Sequence, residues 1–125
     1  MSLVRPCPCG RATYDACCGP LHRGEREAAT PEELMRSRYA AYALGETGYI
    51  VRTWHPRTRP DDLSPDPGVR WTGLEVVAAP APDGTVGEVE FRASYETAAG
   101  PGPLHERRRF ERRAGRWVSV DGVVG

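Results

Sequence analysis

Four cysteines fall within twelve positions near the start of the chain: Cys7-Pro8-Cys9, seven intervening residues, then Cys17-Cys18. Four thiolates so close in sequence can close a tetrahedral site, and zinc is the usual occupant of such a sulfur-rich site, although four thiolates also bind iron. Pro8, Gly10 and Gly19 permit tight turns around an ion. Arg5 and Arg11 offset the negative charge of a four-thiolate site, and His22 could replace one sulfur. The alternatives are a pair of disulfides or a redox pair. Disulfides fit a cytosolic chain poorly, and the adjacent Cys17 and Cys18 cannot easily pair with each other. A redox pair would call for a Cys-x-x-Cys spacing, which the sequence lacks. With all four positions filled by protein, no site is left open for water, so the expected metal is structural rather than catalytic.

The elements that must position this cluster follow in four segments. Residues 1–24 carry every cysteine and read as a compact, irregular knuckle, and residues 25–125 as the domain it adjoins. Thr30 is a natural N-cap, Pro31 suits the first helical position and Glu33 completes a capping box. Leu34, Met35, Arg38, Tyr39, Ala41 and Tyr42 then recur at three- and four-residue spacing, giving an apolar face that includes Arg38, and Gly45 stops the helix. A second, shorter helix is expected from Thr47, with Tyr49, Ile50 and Trp54 inward and Pro56 ending it. Residues 55–68, rich in Pro, Asp and Ser, read as a loop with at most one helical turn. Beyond Val69 the pattern alternates: Val89, Phe91, Ala93 and Tyr95 share one side of a strand, and Glu88, Glu90, Arg92 and Ser94 the other. Turn signals at Pro82-Asp83-Gly84, Gly100-Pro101-Gly102-Pro103 and Ala114-Gly115 divide strands near 69–79, 86–97, 103–113 and 116–121. Connections this short make neighbours antiparallel. The expected class is α+β, helices packed on a four-stranded antiparallel sheet.

Composition bounds the function. A chain of 125 residues fits one ordinary domain. Its 17 basic and 17 acidic side chains balance, so bulk charge favours neither nucleic acid nor an anionic membrane. All 17 basic residues are arginine; with 14 Gly and 12 Pro this reflects a GC-rich coding bias as much as a function. No apolar run approaches the ~20 residues of a membrane span, and no signal-peptide core precedes Cys7. The expected location is cytoplasmic. Five arginines between Glu106 and Arg113 (107, 108, 109, 112 and 113) split between two strand faces and read as a solvated surface rather than a nucleic-acid stripe.

Several runs carry a family resemblance. Cys7-Pro8-Cys9-Gly10 through Cys17-Cys18-Gly19-Pro20-Leu21-His22 resembles the SEC-C motif, a small zinc knuckle also found at the C-terminus of the SecA translocation ATPase. Met35-Arg36-Ser37-Arg38-Tyr39-Ala40-Ala41-Tyr42, Tyr49-Ile50, Thr53-Trp54-His55-Pro56, His105-Glu106-Arg107-Arg108-Arg109-Phe110, Gly115-Arg116-Trp117 and Val120-Asp121-Gly122 resemble the YchJ-like family of uncharacterised bacterial proteins. The resemblance implies a fold like nuclear transport factor 2, a cone of helices over a curved antiparallel sheet, with zinc ligands Cys7, Cys9, Cys17 and Cys18. Members usually space the cysteine pairs by eight residues; here the loop is one shorter. Many also carry a second, C-terminal knuckle, which the sequence to Gly125 lacks, so a function needing two knuckles is not expected.

Cones of this type often enclose a pocket against the concave sheet face. On the third strand Leu104, Glu106, Arg108 and Phe110 share one parity, so a carboxylate and a guanidinium point the same way as two large apolar groups. Arg38, Tyr39 and Tyr42 come from the first helix, and Trp54 and His55 from the end of the second. A histidine, a carboxylate and tyrosines around an apolar pocket suit general acid/base chemistry. The plainer readings are a structural ion pair for Glu106, a cap or loop residue for His55, core packing for the aromatics and turn chemistry for Asp121. No nucleophile paired with a base, phosphate-cradling glycine loop or hydrolase elbow is present. The leading expectation is a binding or adaptor module whose knuckle contacts a protein or ribosomal partner, as the kinship with the SecA tail implies. The alternative is a small-molecule-binding protein or acid/base enzyme using the cone pocket.

Overall fold

The computed structural model describes residues 5–63 and 67–125. Residues 1–4, where a signal peptide would begin, and 64–66 of the expected loop 55–68 lie outside the described residues. The chain opens with a bridge between Pro6 and Thr13, then a 3-10 turn at Tyr14–Ala16 and a one-turn helix α1 at Gly19–His22. Two further helices follow, α2 at Pro31–Leu44 and α3 at Thr47–Arg52. Four strands complete it: β1 at Arg70–Ala78, β2 at Val86–Thr97, β3 at Gly100–Arg113 and β4 at Arg116–Val124. They form an antiparallel meander in the order β1-β2-β3-β4, the expected α+β arrangement. No helix among the described residues is long and apolar enough to cross a membrane.

The sequence signals for α2 act as read, with one change of partner. Thr30 Oγ1 accepts from the Glu33 backbone N–H at 3.1 Å. The Glu33 carboxylate reaches back one residue further than in a standard capping box, to the N–H of Ala29 at 2.7 Å. Gly45, at φ 75°, closes the helix in the left-handed conformation. The buried surface of α2 is wider than one amphipathic stripe: Ser37, Ala40 and Ala41 are fully enclosed together with Leu34, Met35 and Tyr39. The helix is covered on two sides, by β1, β2 and β4 on one and by α1 and α3 on the other. Tyr42, expected inward, stays 38% exposed at the margin.

The second helix ends earlier than its proline would require. Thr53 and His55 bond instead to β4: the Ser119 N–H donates to the Thr53 carbonyl at 2.7 Å, and the His55 N–H to the Ser119 carbonyl at 2.8 Å. A short parallel bridge thereby ties the end of α3 to the sheet.

The sheet departs from expectation at two turns. Gly100 to Pro103, read as a turn, lies within β3, and the reversal falls at Ala98-Ala99. Pro101 and Pro103 are tolerated because β4 pairs with β3 only from Glu106 onward, leaving this end of β3 an edge where missing N–H groups cost nothing. Asp121 lies in β4 rather than a turn, its carboxylate accepting two 2.6 Å bonds from Arg109. A register shift between Arg109 and Phe110 against β4 marks a bulge that bends the sheet. One core joins all parts: Cys9, Tyr14, Cys18 and Leu21 of the knuckle pack in the same cluster as Leu34, Val89 and Phe110.

Candidate metal centre and cone cavity

The knuckle folds its four cysteines onto one point. The Cys7 N–H donates to the Ala12 carbonyl at 2.9 Å and the Gly10 N–H to the Cys7 carbonyl at 3.0 Å, a tight turn that brings Cys7 and Cys9 side by side. The Tyr14–Ala16 turn then delivers Cys17 and Cys18 opposite them. All four Sγ atoms lie within 4.8 Å of one another, with Cys7, Cys9 and Cys18 buried and Cys17 partly so. Cys9 Sγ is 3.4 Å from Cys17 Sγ, and Cys17 Sγ is 3.8 Å from Cys18 Sγ. Both distances are far longer than an S–S bond, so the thiols are free. Both are close to the sulfur–sulfur spacing that a tetrahedral ion with ~2.3 Å metal–sulfur bonds imposes. Four sulfurs this close suit a tetrahedral metal ion, and the one-residue-shorter loop keeps all four within 4.8 Å.

The electrostatics point the same way. Hydrogen bonding from Cys18, aided by the Arg11 backbone and the other thiols, pulls the Cys9 thiol down to about 5. Burial, together with the Cys9 thiolate, pushes Cys17 up to about 11. The hydrogen bond to Cys9, followed by burial, holds Cys18 far above its ordinary value. One thiolate is thus stabilised by its neighbours and further ionisation is opposed. A divalent cation at the centre would remove that opposition, and its folding contribution would be structural.

His22 is not a fifth candidate ligand. Its Nε2 donates to the Ser37 carbonyl at 2.8 Å, and its Nδ1 accepts from the Tyr14 hydroxyl at 2.7 Å. The carbonyl can only accept, which fixes the tautomer. Burial, the largest influence, lowers the pKa of His22 and keeps the ring neutral. Tyr49 continues the network through its hydroxyl to Ser37 Oγ at 2.7 Å. Arg52 Nη2 donates to the Leu21 and His22 carbonyls at 3.1 and 2.9 Å, and Arg36 Nη1 to the Cys9 carbonyl at 3.2 Å. The knuckle is therefore latched to α2 and α3 by Arg36 and Arg52 from outside it and by its own His22.

The second convergence of polar groups lies on the other side of α2. A cavity of about 290 Å³ opens between that helix and the concave sheet face, and Arg38, Tyr39, Tyr42, Glu106 and Arg108 lie in its wall. Leu104 and Phe110 line it too, so the inward parity read for β3 holds. Arg108 donates through Nε to Ser119 Oγ at 2.6 Å and through Nη1 to Glu106 at 3.4 Å. Arg38 Nη1 donates to the Ile50 carbonyl at 2.9 Å and Thr53 Oγ1 at 2.7 Å. Trp54 does not line the cavity but backs it: the Arg38 and Arg108 guanidinium carbons lie 4.9 and 5.0 Å from its ring centroid. A Cβ at Gly122 would overlap the Glu106 carboxylate, which would have to shift to make room for it. His55 is not among the wall residues. It is buried, its Nδ1 accepting from the Arg57 N–H at 3.0 Å and its Nε2 lying 4.0 Å from Glu111.

A family model described as the YchJ middle NTF2-like domain matches residues 30–122. The chain belongs to the YchJ-like family. A UPF0225 protein of Streptomyces coelicolor is 55% identical over 122 residues, 94% of each chain. One from Deinococcus radiodurans is 51% identical over 121 residues, covering 95% of this chain and 89% of its own. The solution structure of a SEC-C motif containing protein from Rhodopseudomonas palustris superposes with a TM-score of 0.85 at 40% identity, covering 95% of this chain and 98% of that one. The crystal structure of a SEC-C motif containing protein from Psychrobacter arcticus gives 0.79 at 32%, covering 95% and 82%.

The runs that carry the YchJ-like resemblance fall at the junctions of the fold. Met35 to Tyr42 is the stretch of α2 that contributes Arg36 and Ser37 to the knuckle latch and Arg38, Tyr39 and Tyr42 to the cavity. Thr53 to His55 is the bridge to Ser119. Tyr14, Ser37 and Arg52 were missed as positioning residues, since nothing in local spacing links Tyr14 to His22 or Arg52 to the Leu21 carbonyl. Trp71 and Phe91 of the cavity wall were likewise invisible until β1 and β2 were placed under α2.

Proposed function

We propose that the YchJ-like chain is a cytoplasmic zinc-binding protein in which Cys7, Cys9, Cys17 and Cys18 hold one structural zinc ion, and that the knuckle so formed docks a partner. The convergence of four buried sulfurs within 4.8 Å carries the metal reading. The docking reading is supported by the knuckle's rim. A groove of about 230 Å³ runs beside Cys17 and Cys18, and Arg11, Arg26 and Arg36 outnumber Glu33 along it. Arg26 and Arg36 are paired with Glu33 and Glu32, whereas Arg11 is exposed and forms no ion pair among the described residues. An acidic surface on a protein or ribosomal partner suits that rim.

Co-sedimentation of the zinc-loaded protein with ribosomes, repeated with Arg11→Glu, tests the docking reading. Association that the charge reversal abolishes is expected. Failure of both proteins to sediment, or equal sedimentation of the two, contradicts it.

A second reading is favoured by a separate observation, the cavity on the concave face. The chain would then bind a small molecule there. The acid/base version of this reading loses His55, which lies elsewhere, and retains Glu106 with Tyr39 and Tyr42.

A further inference from the structure

The cavity wall carries an unbalanced charge. Two guanidiniums, of Arg38 and Arg108, face one carboxylate, Glu106. Arg38 forms no ion pair among the described residues, although it is only 6% exposed. Burial pushes its pKa down to about 10, and nearby Arg108 pushes in the same direction, yet the group remains charged at neutral pH. A buried, unpaired cation is costly, and a second cation over the same Trp54 ring increases the cost.

Arg108 adds a second sign. Its Nε and Nη1 have partners, but its Nη2 is buried without a hydrogen-bond acceptor among the described residues. An unmet donor on a charged side chain calls for an acceptor from outside the chain. Apart from Tyr39 and Tyr42, the rest of the wall is apolar: Met35, Trp71, Phe91, Ala93, Leu104 and Phe110. At roughly 30 Å³ for each water-sized group, about 290 Å³ holds a molecule of about ten non-hydrogen atoms.

We propose that this cavity binds a small monocarboxylate with an apolar body, an arylalkanoate or a medium-chain fatty acid, its carboxylate on Arg108 and Arg38 and its body against Trp71 and Phe91. This rests on the reading of the cavity as a ligand site. One carboxylate balances the surplus of a single positive charge. Its two oxygens accept from a guanidinium in the geometry such pairs prefer. A doubly charged phosphate would meet Glu106, and that repulsion disfavours it. The flat body suits Trp71, which already stands edge-on to Tyr39 at 6.0 Å and to Tyr95 at 5.7 Å.

The test is calorimetric titration of the zinc-loaded protein with phenylacetate, octanoate, phenylacetamide and inorganic phosphate. Phenylacetate or octanoate binding, with phenylacetamide at least about tenfold weaker, is expected. Arg108→Gln, checked for an unchanged melting point, should weaken carboxylate binding by about tenfold or more, and Glu106→Gln should tighten it severalfold. Should Arg108→Gln lower the melting point, Glu106→Gln alone decides, since it removes repulsion without opening the wall. Equal binding of phenylacetate and phenylacetamide would overturn the carboxylate assignment and leave the ligand-site reading standing. Phosphate binding as tight as phenylacetate binding would overturn the apolar-body assignment. No binding of any probe at millimolar concentration would remove the ligand-site reading as well.

Discussion

The knuckle and the cone cavity both bring polar groups into buried space, on opposite sides of the same helix, and they treat them differently. In and around the knuckle, the buried side-chain nitrogen and oxygen atoms among the described residues are answered by other protein atoms: His22 by Ser37 and Tyr14, Ser37 by Leu34 and Tyr49. Its one open requirement is for a cation among four sulfurs. In the cavity, Arg108 Nη2 lacks an acceptor and Arg38 forms no ion pair among the described residues, with one carboxylate facing two guanidiniums, so the open requirement is for an anion. A site whose four ligand positions are all supplied by protein sulfurs is built to hold its ion as part of the fold. A site with unmet donors and an apolar wall is built to exchange its occupant.

The sharpest way to break this comparison is to remove a sulfur. Cys9→Ser should abolish stoichiometric zinc and destabilise the fold by several kcal/mol, on the order of 3–5. Thermal denaturation with and without chelator checks it: the variant and the chelated wild type should melt alike. His22→Ala comes next. It leaves the Ser37 carbonyl and the Tyr14 hydroxyl unmet and should cost about 2–3 kcal/mol in urea unfolding with an unchanged slope. An unaltered midpoint would mean the latch contributes nothing.

On the cavity side, Gly122→Ala should cost about 1–3 kcal/mol through its overlap with Glu106. In a Glu106→Ala background the same change should cost little, and a double-mutant cycle reads the coupling. A smaller effect comes from pH. The folded pKa of His22 lies below its ordinary 6.5. Its neutral form therefore contributes stability above the unfolded pKa, and that contribution is lost as pH falls through the folded value. The stability gap between wild type and His22→Gln should accordingly hold from pH 8 to 7 and narrow below about 6.5; a gap that widens would reverse the assignment. The smallest effect belongs to His55→Asn, which should leave carboxylate binding unchanged because His55 is outside the cavity wall.

Much of this was legible in the sequence where a local rule governed the outcome. Thr30, Pro31 and Gly45 bound α2 because capping depends on neighbours three or four residues away, and Glu106 and Arg108 face inward because strand parity is strictly twofold. The cysteine cluster was legible because all four ligands come from one short segment. What escaped was set by contacts between distant segments. Pro101 and Pro103 lie in a strand only because β4 stops short of them, and α3 ends at Arg52 because Thr53 reaches Ser119. His22 showed its chemistry but not its role, since its partner Ser37 lies on another helix.

The proposed structural zinc on Cys7, Cys9, Cys17 and Cys18 is open to direct observation. X-ray absorption at the zinc edge, on protein purified without added metal, tests it most directly. One zinc per chain with a first shell of four sulfurs at about 2.3 Å is expected. A first shell containing nitrogen or oxygen in place of sulfur, or protein that is folded and free of stoichiometric metal, would contradict it.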